Sequence, residues 1–151
     1  MFFFASLALA VLVTGFLSYK SYDAYTDTSA YIERAQVAAD IDDMRNYITR
    51  ATNGMRKHKM NRGHAAIIFK NPSNDLGLIN RSLNQARARL TEIKGLESTD
   101  VAFQQGLDDV RGILRETNIP VMNAVYARFW YLTLLILFFP VSIIILFREV
   151  M

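Results

Sequence analysis

Apolar positions recur at helical spacing through the middle of the chain. Val37, Ile41, Met44, Ile48, Ala51 and Met55 follow alternating steps of four and three. Leu76, Ile79, Leu83, Ala86, Leu90 and Ile93 do the same, and so do Phe103, Leu107, Val110 and Leu114. Such steps line up on one face of a helix and make a seam for packing. Asp42/Arg45 and Asp108/Arg111 stand at helical spacing on the wetter faces. No stretch alternates with period two long enough for a strand.

Chain breakers divide this helical region. Asn53-Gly54 is a plausible stop, and Asn71-Pro72-Ser73-Asn74-Asp75 a turn, because Pro72 pushes Asn71 out of the helical region. Ser73, Asn74 or Asp75 can cap the helix after that turn. Gly95 can end that helix, Ser98-Thr99-Asp100 offers caps for the next, and Pro120 marks a joint. From Tyr19 to Asn53 is 34 residues and from Gly95 to Arg128 is 33, so two outer helices match in length. A shorter inner hairpin, roughly Met55–Lys70 and Asp75–Lys94, lies between them. The spacing predicts an all-α fold, an up-down-up-down four-helix bundle. The rival arrangement is one long two-helix hairpin with Asn71–Asp75 at its tip.

Two apolar runs flank this domain. Phe129–Phe147 holds nineteen residues without a charge, about 28 Å as a helix, or one bilayer core. Trp130 and Tyr131 in its first turn, with Arg128 outside, form the aromatic and basic collar of a membrane boundary. Pro140 is expected to kink it. Phe2–Tyr19, ended by Lys20, is the second run. It has no basic segment ahead of it, and Ala8-Leu9-Ala10 falls too early for a cleavage site, so it reads as a span and not a signal peptide. Ser6, Ala10, Thr14 and Ser18 recur every fourth residue, a small-residue stripe that lets helices approach closely in lipid. The expected domains are a first span at 1-19, an extramembrane helical domain at 20-127, a second span at 128-148 and a tail at 149-151. Both termini then share one side of the membrane, and the middle domain is assigned to the extracytoplasmic side.

Charge follows the same division. Sixteen of the 17 Lys/Arg and thirteen of the 14 Asp/Glu lie between Lys20 and Arg128. That middle is long enough for one helical core. The net charge of +3 gives no special support to a nucleic-acid partner. With no cysteine there is neither a disulfide framework nor a thiolate metal site.

A bundle between two spans resembles the four-helix sensor modules of bacterial chemoreceptors and some histidine kinases. The resemblance covers the whole chain as architecture and rests on no motif. In those receptors the second span continues into a signalling region, whereas four residues follow Phe147 here. Sensing would therefore pass its output to a separate partner.

Candidate chemistry is sparse. The segment from Met55 to His64 holds Met and His, which suit copper, and His58 with Met60 forms an HxM pair. On a helix those two lie about 160° apart and cannot share an ion. Met55/His58 and Met60/His64 are possible pairs on different faces, but Arg56, Lys57, Lys59 and Arg62 surround them. His58, Met60 and His64 are thus weak metal candidates, with His64 expected in the interior beside Met60 and Ile67. Arg56, Lys57, Lys59, Arg62 and Lys70 form either a solvated face or a contact site for an anion, a lipid headgroup or an acidic partner surface. Asp40/Asp43 is a same-face acidic pair with no histidine nearby. There is no Glu-x-x-His pair, phosphate-binding loop, dinucleotide fingerprint or nucleophile elbow, so no catalytic residue or cofactor is expected. Neither span carries an ionisable side chain in its core, which argues against conduction. The sequence points first to an accessory subunit of a membrane assembly, partnered by lipids and by other subunits or copies of itself. The alternative is a bundle sensor acting through a partner, with a pocket lined by Tyr31, Tyr47 or Phe103.

Overall fold

The computed structural model describes residues 2–132 and 134, with side chains described from residue 7 onward. Its helices are α1 (Phe2–Asp27), α2 (Ser29–Val37), α3 (Ile41–Lys57), α4 (Leu76–Ile93), α5 (Val101–Glu116) and α6 (Val121–Arg128). A 3-10 turn spans Pro72–Asn74. Among the described residues there is no strand, only an isolated bridge between His64 and Asp75. The fold is all-α.

Helix α2 packs along α3, α3 against α4 and α4 against α5, and α5 returns to α2, closing a helical bundle. Helix α6 lies against α1. Helices α3, α4 and α5 run antiparallel in succession. Lys94, at the end of α4, meets Asp42 in the first turn of α3 at 2.5 Å, and Arg89 of α4 faces Asp109 of α5 at 3.6 Å. These exposed pairs are screened by solvent and add little to stability. Apolar burial supplies most of the stability. Met44, Ile48 and Met55 from α3, Leu83 and Leu90 from α4, and Val110 and Leu114 from α5 are fully buried. Across the closing contact, Gln36 Nε2 donates to the Leu114 carbonyl at 2.9 Å.

The turns fall elsewhere than the breakers indicate. The first turn is Ala38–Asp40, not Asn53-Gly54, which lies inside α3. Asp40 makes this turn: its carboxylate accepts from the backbone N–H of Asp42 and Asp43, satisfying two orphan donors. The acidic pair Asp40/Asp43 is thus a cap and a first-turn charge against the helix dipole. Val37, counted with the seam, ends α2 and is 82% exposed. The outer helix expected from Tyr19 to Asn53 is replaced by a bent α1–α2 segment and a returning α3.

The inner helix expected over Met55–Lys70 ends at Lys57. Lys59 and Gly63 both take positive φ, at 56° and 85°, which no helix accommodates. Further on, Asn71 and Asn74 form a reciprocal cap around Pro72, and Asp75 caps α4 by accepting from Gly77 and Leu78. Pro120 stands before α6, as its position indicates.

Among the described residues, no helix is long and apolar enough to cross a membrane. The run Phe2–Tyr19 forms the first part of α1. The run Phe129–Phe147, Pro140 included, lies outside the described residues beyond its first few positions. Those first positions pack on α1: the rings of Phe16 and Phe129 meet edge to face at 5.6 Å, and Val13 and Leu17 are buried.

Candidate functional site

Chemically distinctive side chains gather at the end of the bundle where α3 arrives beside α1. Helix α1 stops at Thr28, whose buried hydroxyl donates to the Ala24 carbonyl at 2.6 Å. Gly54 of α3 lies against the main chain of Asp27 and the side-chain methyl of Thr28. That approach sets Lys57 and His58 over the Asp27 carboxylate. Asp27 Oδ2 accepts from Lys57 Nζ at 2.6 Å and from His58 Nε2 at 2.8 Å. A carboxylate only accepts, so Nε2 carries the proton in this bond. The Lys57 hydrogen bond first, and the His58 bond second, hold the Asp27 carboxyl below the usual carboxylate range.

A group with a depressed folded-state pKa stabilises above its unfolded value and loses that contribution as pH falls through the folded value. Asp27→Asn is therefore expected to lower the thermal midpoint at neutral pH. It should also flatten the loss of stability below about pH 5. Melts at stepped pH check this, and parallel curves for wild type and variant would contradict it.

Asp23, Asp27 and His58 bring one ligand atom each within 4.8 Å of one another. The cation in that position is Lys57, at 4.0 Å from Asp23 Oδ1 as well as 2.6 Å from Asp27. An ion there would have to displace a paired ammonium. The arrangement serves as a latch between α1 and α3.

Below the latch opens a cavity of about 610 Å³ between the end of α1, the 58–75 loop and α6. Its wall carries six cations, Lys20, Lys57, Lys59, Arg62, Lys70 and Arg128, and no carboxylate. Among the described residues, Lys20, Lys59, Arg62 and Lys70 enter no ion pair. Arg128 donates to the His58 carbonyl at 3.3 Å, tying the second apolar run's entrance to the latch. Phe129 and Trp130 complete the mouth. Convergent unpaired cations over a partly apolar floor suit an anionic group.

Four of the five basic residues named from sequence, Lys57, Lys59, Arg62 and Lys70, line this cavity, while Arg56 is exposed outside it. Lys20 and Arg128 join them from opposite ends of the domain, and their only sequence signal is their place beside the apolar runs. His58, Met60 and His64 share the same wall, among cations that disfavour a metal ion. His64 is exposed, not interior, because the loop that bears it is not helical; Met60 is buried. Of the small-residue stripe, Ala10 is half-buried and Thr14 and Ser18 are exposed; the Ser6 side chain is outside the described set. Tyr31 and Tyr47 stack at 6.3 Å and, with Phe103, pack against the core. No family model, curated protein or solved structure matches the chain.

Proposed function

We propose that the chain is an accessory subunit of a larger membrane assembly. Two spans, Phe2–Tyr19 and Phe129–Phe147, carry the helical bundle on the extracytoplasmic side and place both termini on the other. The chain works by helix packing, without catalysis. The observation that carries this reading is the face of α1 at Thr14, Gly15 and Ser18. Thr14 and Ser18 are exposed, and a Cβ at Gly15 would meet nothing within 4 Å. The chain's own packing uses Val13 and Leu17 and leaves this small-residue face open to another helix.

Thr14→Leu should leave insertion and helix content intact while weakening association. Overpacking a close contact costs about 1–3 kcal/mol, roughly five- to a hundred-fold in an equilibrium. Leu12→Ala, about 160° around the helix from Thr14, should matter less. Native gels and co-purification after gentle solubilisation read both variants. Wild-type assembly by Thr14→Leu would refute the packing role.

A second reading is a bundle sensor for a small anion that signals through a separate partner. The basic cavity favours it, and a bound anion recovered with the purified chain would select it.

A further inference from the structure

The 58–75 loop has an apolar tip that the bundle does not use. Ile67, Ile68 and Phe69 are 54%, 78% and 83% exposed, three bulky residues in a row. Isolated apolar residues on a surface need no explanation, but a contiguous exposed cluster marks a contact. The tip is held and not loose. Asn74 Nδ2 donates to the Phe69 carbonyl at 2.7 Å, and the N–H of Ala65 and of Leu76 donate to Asn74 and Gly63, each at 2.8 Å. Ala65, behind the tip, is fully buried and pins its base.

We propose that this tip enters the interfacial zone of an anionic bilayer while the cations around it bind phosphate headgroups. Lys59, Arg62 and Lys70 flank the tip on the wall of the basic cavity, to which Ile67 also contributes. Lys20 and Arg128 line the same cavity, and each directly adjoins an apolar run. The loop therefore stands at the level where the spans would leave the membrane. The occupant follows from chemistry on both counts: an apolar tip in a basic collar matches acyl chains beneath negative headgroups. An acidic protein surface would satisfy the cations but leave the three bulky residues in water. A second copy of this chain would bring like charges together.

The inference rests on the two-span reading for the loop's height, and its test reads the loop separately. The full chain carrying Trp130→Phe and Phe69→Trp has one tryptophan, at the tip. It is reconstituted in vesicles of phosphatidylcholine alone or with one-quarter phosphatidylglycerol, with and without brominated acyl chains. The tip should emit to the blue and be quenched by bromine about twofold or more strongly in the anionic vesicles. Adding Lys59→Ser, Arg62→Ser and Lys70→Ser should remove that difference. Emission that stays water-like and open to acrylamide in anionic vesicles overturns the proposal. So does a tip shielded from both acrylamide and bromine, which would mean that protein covers it. Alkaline carbonate extraction of the same vesicles tests the spans independently: a chain released by carbonate defeats the two-span reading whatever the tip reports.

Discussion

Gly54→Ala is expected to be the most damaging single-methyl addition in the chain. A Cβ at that position would lie 1.9 Å from the Asp27 carbonyl oxygen and 2.6 Å from its carbon. Both partners are main chain, so no side-chain rotation relieves the clash. The α1–α2 joint on the other side is itself fixed, with Thr28 fully buried and bonded to Ala24. Overpacking costs about 1–3 kcal/mol where side chains can adjust, and this site belongs at or above the upper end. Gly106→Ala is the control. Its Cβ would come 2.4 Å from Ile93 Cγ2, a side-chain atom able to shift, so a smaller loss is expected. A Cβ at Gly112 meets nothing within 4 Å, and there alanine should gain up to about 1 kcal/mol of helix propensity. Thermal melts followed by circular dichroism in detergent should rank the variants in that order. Because Gly54 also sets Lys57 and His58 over Asp27, its replacement should remove the acid sensitivity assigned to that carboxylate. A Gly54→Ala chain as stable as Gly106→Ala would show that α3 does not approach α1 so closely.

The legible part of the sequence was its periodicity. From Ile41 to Met55, from Leu76 to Ile93 and from Leu107 to Leu114, the seam residues are buried in the helices. A step of three or four keeps a residue on one face whatever its neighbours do. Turns without a strong breaker were not legible. Ala38–Asp40 contains neither Gly nor Pro; the Ala38 N–H closes α2 on the Ala35 carbonyl, and Asp40 caps the start of α3. Asn53-Gly54 looks like a helix end, yet the glycine serves a close approach to a segment 27 residues earlier. The candidate site divides in the same way. Lys57, Lys59, Arg62 and Lys70 are close in sequence, so their cluster is visible without a fold. Asp27 meets Lys57 and His58 across 30 and 31 residues, and Lys20 faces Arg128 across the whole domain. Only the antiparallel return of α3 and the packing of α6 on α1 bring those groups together.

That return is completed where α5 meets α2, and Leu114→Ala is expected to break it. Leu114 is fully buried in the last turns of α5, and its carbonyl accepts the Gln36 amide at 2.9 Å. In a long hairpin turning at Asn71–Asp75, α2 would also lie opposite α5; the folding back of α2 on α3 and of α4 on α5 sets the bundle apart, and this position tests the closing contact itself. Removing a buried leucine side chain loses its transfer free energy and leaves a cavity, together about 2–5 kcal/mol. For a domain of this size such a loss lowers the thermal midpoint by on the order of 10 °C or more. Gln36→Ala removes the hydrogen bond and should cost about 0.5–1.5 kcal/mol, the Leu114 carbonyl keeping the Thr117 N–H at 3.2 Å. Leu114→Ala keeps the main-chain carbonyl that Gln36 binds, so the two changes remove different interactions at one contact. A Gln36→Ala or a Leu114→Ala chain with a wild-type midpoint would place α2 and α5 apart and leave the core without its fourth wall.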